Sequence, residues 1–121
     1  MDKKNILILE DDEEINLLYK DILSEKYNLA ITTTVAEALK SLKKKKPDLM
    51  ILDIILPKKS GDVFFEELRK DPKYKNMKMI CISVLGDTSD FFKKINGNVE
   101  CLPKPFHKEE LLQTIKKMVG K

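Results

Sequence analysis

The stretch Ile6-Leu7-Ile8-Leu9-Glu10-Asp11-Asp12 sets four consecutive apolar residues directly against three consecutive acids. A run that is apolar at every position, rather than at alternate ones, reads as a strand covered on both faces. Two more runs have this character: Leu49-Met50-Ile51-Leu52, followed by Asp53, and Met79-Ile80-Cys81-Ile82, followed by Ser83. Leu29-Ala30-Ile31 and Val99 to Leu102, the latter interrupted by Glu100, are shorter and more polar, as strands toward a sheet edge are. Five strands are expected, three of them buried.

Segments of helical period fill the intervals. Ile15, Leu18, Tyr19, Ile22 and Leu23 fall at i, i+3, i+4, i+7 and i+8, one stripe of a helix. Val35, Ala38, Leu39 and Leu42 repeat the stripe, Thr34 with Glu37 predicts a capping box at its start, and Pro47 ends the region. Phe64, Phe65 and Leu68 after Gly61 predict a third helix running up to Asp71-Pro72. A short helix near Asp90 to Ile95, ended by Asn96-Gly97-Asn98, and a last one through Leu111, Leu112, Ile115, Met118 and Val119, closed by Gly120, complete the pattern. Strict βα alternation implies a parallel sheet with right-handed crossovers and helices on both faces. Three buried and two edge-like strands then give the order 2-1-3-4-5, an α/β flavodoxin-like doubly wound (βα)5 fold. The five units use residues 1–121 as one domain, with no repeat, linker or output domain expected.

Hydrophobic residues at 42% suffice for one core, and charged residues at 36% exceed the roughly 25% of an average soluble domain, so the exterior should be strongly ionic. A net charge of +3 is too small to argue for nucleic acid, and the block Lys43 to Lys46 reads as a solvated helix C-terminus. The apolar runs fall far short of the roughly 20 residues of a membrane span, and Met1-Asp2-Lys3-Lys4 does not open a signal peptide. A cytoplasmic protein without membrane contact is expected. Cys81 and Cys101 lie in apolar stretches with neither CxxC spacing nor a His partner, so they read as reduced core thiols, and a metal here would need oxygen ligands.

In an open α/β sheet, ligands bind outside the carboxyl ends of the strands. At that edge stand Glu10, Asp11 and Asp12 after the first strand, Asp53 after the third, Ser83 after the fourth and Lys104 after the fifth. One acid would serve as a helix cap, but several carboxylates brought together repel strongly and call for a cation. Hard oxygen ligands suit Mg2+ better than zinc, since the lone His107 follows the fifth strand. Asp53, in the otherwise apolar Leu52-Asp53-Ile54-Ile55-Leu56-Pro57, is a candidate nucleophile that would attack phosphorus to form an acyl phosphate. Ser83 would donate a hydrogen bond to a phosphoryl oxygen, and Lys104 would supply a neutralising ammonium. In Pro103-Lys104-Pro105-Phe106, a cis Lys104–Pro105 bond would aim that ammonium at the site.

These residues resemble the receiver domain of two-component response regulators over essentially the whole chain. The matching motifs are Ile6-Leu7-Ile8-Leu9-Glu10-Asp11-Asp12, Asp53 with Pro57 and Gly61, Ser83, and Lys104-Pro105-Phe106. The resemblance implies that Asp53 accepts a phosphoryl group from a sensor histidine kinase or phosphotransfer protein. It also implies that Glu10, Asp11, Asp53 and the backbone carbonyl of Ile55 bind Mg2+, that Ser83 and Lys104 contact the phosphoryl group, and that Asp12 is a neighbour rather than a ligand. Such a protein is a signalling phosphoacceptor that catalyses its own phosphorylation and dephosphorylation, not an enzyme acting on an external substrate. It would signal to a downstream effector protein or output domain through the face of the fourth helix, fifth strand and fifth helix, without binding nucleic acid directly. A stand-alone, chemotaxis-type receiver is the leading form; the alternative is a receiver from a DNA-binding regulator or hybrid histidine kinase.

The sequence departs from that family at several positions. Cys101 stands where the family has its aromatic switch residue, so activation should rely on a shift of Ser83 with less ring movement. Val84 replaces a small residue and would crowd access. Apolar Ile55 and Leu85 occupy positions that tune dephosphorylation, which predicts a long-lived phosphoryl group. Phe91 or Phe92, Lys93, Lys94 and Cys101 are candidate contacts on the signalling face. A haloacid-type phosphatase would need an acid where Ile55 stands, and a flavodoxin would need a Ser/Thr/Gly-rich loop where Glu10-Asp11-Asp12 stand.

Overall fold

A computed structural model describes residues 3–53, 61–83 and 98–120. Its strands are β1 (Lys4–Leu9), β2 (Tyr27–Thr32), β3 (Leu49–Asp53), β4 (Met79–Ser83) and β5 (Val99–Pro103). The helices among the described residues are α1 (Glu13–Leu23), α2 (Val35–Lys44), α3 (Gly61–Lys70) and α4 (Lys108–Val119). The helix expected near Asp90 to Ile95 lies outside them. All strand pairs are parallel and the order is β2-β1-β3-β4-β5, as the apolar runs predict.

Alternate side chains of each strand enter opposite layers. Leu7, Leu9, Met50, Leu52, Met79, Cys81 and Val99 pack with Ala38 and Leu42 of α2 and Phe64, Phe65 and Leu68 of α3. Ile6, Ile8, Leu49, Ile51, Ile80, Ile82 and Leu102 pack on the other face with Tyr19 and Leu23 of α1 and Leu111 and Ile115 of α4. All five residues of β3 are buried, which is why that run is apolar up to its final Asp53.

The helix stripes are narrower than the sequence implies. Leu18 and Leu39, expected in the core, are 44% and 38% exposed, while Asn16 is buried. The Asn16 amide donates to the carbonyl of Glu10 at 2.8 Å, which turns that side of α1 inward and Leu18 outward. The capping box also differs in detail. Thr34 Oγ1 accepts from Glu37 N at 3.1 Å, but the Glu37 carboxylate reaches back one residue further, to the N–H of Thr33 at 2.8 Å and its hydroxyl at 3.0 Å. α4 closes on Gly120, whose φ of 82° is the left-handed conformation that glycine adopts without steric cost.

Each helix begins at the carboxyl edge of the sheet and ends at the opposite edge. Acids occupy the first turns of α1 (Glu13, Glu14), α2 (Glu37) and α4 (Glu109, Glu110). Lys or Arg closes all four: Lys20, Lys43 with Lys44, Arg69 with Lys70, and Lys116 with Lys117. Each charge complements the local helix dipole, so charge and dipole are polarised in the same sense.

Candidate functional site

The register Leu9↔Leu52 places Glu10 and Asp53 side by side at the carboxyl ends of the two central strands. Both are nearly inaccessible, at 1% and 5% exposure, whereas Asp11 is exposed. One oxygen from each of the three carboxylates lies within 4.8 Å of the others. The three consecutive acids therefore divide their work. Glu10 points into the protein, Asp11 stands at the rim, and Asp12 caps α1, its Oδ1 accepting from Glu14 N at 2.9 Å and Ile15 N at 3.3 Å.

Lys104, just past the end of β5, reaches across β4 to this cluster. Its Nζ donates to Glu10 Oε1 at 3.0 Å and to Asp53 Oδ2 at 3.3 Å. The Lys104–Pro105 bond is cis. Glu10 Oε2 also accepts from the Asp12 N–H at 3.1 Å, and the Glu10 backbone is held by its own N–H to the Thr32 carbonyl and by Asn16. One ammonium thus faces three carboxylates.

The electrostatics follow from this imbalance. Burial, reinforced by the charge of Asp53 and opposed by the hydrogen bonds from Lys104 and the Asp12 N–H, raises the Glu10 pKa to about 7. Burial pulls the Lys104 ammonium down, but its hydrogen bond to Glu10 and the charges of Glu10 and Asp53 outweigh that, leaving its pKa above the usual value. Tyr19 is pushed far up by burial and by the fields of Glu10 and Asp53.

A set of hard, closely spaced carboxylate oxygens, one of them exposed to solvent, is the donor chemistry of Mg2+. No other cluster of three such ligand side chains occurs among the described residues. Ser83 ends β4 in register with Pro103, one residue before Lys104; its side chain is outside the described residues. So are Ile55, Pro57, Val84, Leu85, Phe91, Phe92, Lys93 and Lys94. Cys101, expected as a core thiol and as a switch position, is half-buried on β5, while Cys81 beside it is fully buried.

Two supports of the site leave no signal in the sequence. One is Asn16, a polar residue that interrupts an apolar stripe without announcing its partner. The other is a stack between Tyr19 of α1 and Phe106, two residues beyond Lys104, with ring centroids 5.4 Å apart and planes 12° from parallel. The stack ties α1 to the segment that carries Lys104. Aromatic residues at both positions were visible, but nothing local brings residues so far apart in sequence together.

Comparison with known proteins agrees with this geometry. Residues 6–116 match the family model of the response regulator receiver domain. The chain is 28% identical over 119 residues to the polar-differentiation response regulator DivK of Brucella anthropi, covering 97% of each chain. It is 29% identical over 114 residues to hybrid signal transduction histidine kinase D of Dictyostelium discoideum, covering 93% of this chain but 7% of that one. Several other relatives are also longer, and the chain spans between 12% and 57% of their length. Among solved structures, the chemotaxis protein CheY4 of Vibrio cholerae superimposes with a TM-score of 0.85 at 23% identity, covering 97% of this chain and 99% of that one.

Proposed function

The chain belongs to the response regulator receiver domain family, and from that premise we propose that Asp53 is the phosphoacceptor of a phosphorelay, charged by a sensor histidine kinase or a phosphotransfer protein. The observation that carries the reading is the Lys104 ammonium held between Glu10 and Asp53 in a cluster of three carboxylates. An Asp53 carboxylate oxygen attacks phosphorus, the bond from phosphorus to the donor's nitrogen breaks, and the electron pair leaves with that nitrogen. Lys104 already contacts Asp53, so its ammonium needs only a small displacement to pair with a phosphoryl oxygen. Ser83, on the neighbouring strand end, donates the second contact. Glu10, Asp11 and Asp53, with the carbonyl of Ile55, are the residues that would hold Mg2+, which when bound supplies positive charge against the combined anions of nucleophile and donor.

Residues 1–121 are read as one cytoplasmic receiver domain, which overlaps almost completely with DivK. The partial overlap with longer relatives supports, as the alternative, the same role within a DNA-binding regulator or hybrid histidine kinase. Among the described residues no helix is long and apolar enough to cross a membrane. The output is an effector protein or output domain met by the face that includes Cys101 of β5, with Ser83 and Cys101 as the switch positions and no direct contact with nucleic acid. Hydrolysis of the acyl phosphate is the domain's own activity, slowed because Ile55 and Leu85 offer no hydrogen bond to an attacking water.

Incubation with acetyl phosphate and Mg2+ tests the reading by intact mass. The wild type gains one phosphoryl group and Asp53→Asn gains none; equal gain in both, or none in either, overturns the assignment. Decay of the labelled protein in Mg2+ tests the lifetime. Ile55→Asn combined with Leu85→Glu should shorten it, and an unchanged decay would remove these side chains as its cause.

A further inference from the structure

Cys81 of β4 and Cys101 of β5 are direct partners in the parallel register and lie on the same face of the sheet, the one α2 and α3 cover. Partners on neighbouring strands stand roughly 5 Å apart, inside the window of about 4.4 to 6.8 Å between α-carbons that a disulfide requires. Their accessibility is unequal: Cys81 is 1% exposed, while Cys101 is half-buried and reachable from solvent. Burial, reinforced by a hydrogen bond with the Cys101 thiol, raises the Cys81 pKa well above its usual value. The buried guanidinium of Arg69 lies near enough for its charge to act on Cys81 in the opposite sense.

We propose that Cys81 and Cys101 form an oxidation site at which a peroxide converts the two thiols into a disulfide across β4 and β5. Cys101, the outer thiol, reacts first: its thiolate attacks a peroxide oxygen, the O–O bond breaks, and Cys101 becomes a sulfenic acid as water departs. The Cys81 sulfur then attacks the Cys101 sulfur, the S–O bond breaks, and the departing hydroxide takes the Cys81 proton to leave as a second water. Two thiols and one peroxide thus give one disulfide and two waters, with two electrons passing from sulfur to oxygen. Cys101 keeps part of its surface in solvent, and disulfides that thiols can reach are the readily reduced kind, which makes the step reversible by cellular thiols. The cross-link would join the strand that ends at Ser83 to the strand that leads into Lys104.

The chemistry is independent of the phosphoryl reading and is tested without it. The purified protein, reduced and then treated with hydrogen peroxide, is followed by intact mass and by peptide mapping without reductant. The expected result is a monomer that loses two hydrogens, a peptide joining Cys81 to Cys101, and full reversal by dithiothreitol. Cys81→Ala should instead accumulate oxygen on Cys101. A wild type that gains oxygen without losing hydrogen, that cross-links only between molecules, or that resists peroxide while folded overturns the proposal. The wild-type result decides even where the variant does not fold.

Discussion

Arg69 and the Glu10–Asp53 cluster both bury charge, at 5%, 1% and 5% exposure, yet they are satisfied in opposite ways. Arg69 Nη1 donates to the carbonyls of Tyr74 at 3.0 Å and Lys75 at 3.2 Å, and its Nη2 donates to that of Asn98 at 3.0 Å. Its guanidinium also lies 5.2 Å from the centre of the Phe65 ring. Neutral carbonyls take up both Nη atoms, leaving only the buried Nε without a partner, and the site binds the turn after α3 to the start of β5. At the carboxyl edge, like charges face one another across a single ammonium. Buried charge met by neutral acceptors is finished structure, whereas buried charge met by its own kind is unfinished and calls for a ligand.

Removing each charge should separate the two cases. Arg69→Met takes one donor from each of three carbonyls, of which those of Tyr74 and Asn98 keep a backbone N–H, and urea unfolding should show a loss of about 2 kcal/mol that Mg2+ does not restore. Glu10→Gln removes a carboxylate from the crowded cluster, and the metal-free protein at pH 8 should gain about 1 kcal/mol in the same assay. Its Mg2+ affinity should fall steeply, as titration calorimetry would show. A loss of stability in Glu10→Gln would mean that Lys104 already balances the site.

The comparison also has a pH signature. Glu10 titrates near 7 in the folded protein against a usual value of 4.5, so the folded state holds a proton that the unfolded state has released between those values. Stability of the metal-free protein from this group is greatest below about pH 4.5 and falls as pH rises toward 7. Denaturant melts across that range should show the decline, and Glu10→Gln should flatten it. Mg2+ binding should tighten over the same interval, because the ion competes with that proton. An effect of comparable size belongs to the aromatic support. Tyr19→Leu should cost about 1 kcal/mol through the lost stack and slow phosphorylation by acetyl phosphate, while Tyr19→Phe, which keeps the ring, restores the rate. Equal rates in all three proteins would limit the stack to a structural role.

The five strands were legible because each central run is apolar on both faces, and the sheet order followed from which runs were more polar. Polar ends were not: Lys4, Asn5 and Asn28 extend β1 and β2 because paired strands continue their ladder into partly exposed positions. Glu10, Asp11, Asp53 and Lys104 could be assigned to one edge from chain order alone. That Glu10 is buried, Asp11 open and Asp12 spent on a cap depends on how the chain turns into α1, which three identical-looking acids do not disclose. Leu18 and Leu39 misled for the converse reason. A helical stripe states which residues share a side, not how much of that side the sheet covers.

The succession of acid-first, base-last helices has a consequence for encounter rates. The carboxyl edge that holds the candidate site is also the edge at which the acidic first turns of α1, α2 and α4 gather. An anionic phosphoryl donor approaching alone meets an opposing field, while a protein donor ringed with Lys or Arg is drawn in and turned to the correct face before contact. With Asp53 as phosphoacceptor, this field would select between small and protein donors at about a Debye length, ~8 Å at physiological ionic strength, and salt should erode that selection by slowing association rather than by hastening release.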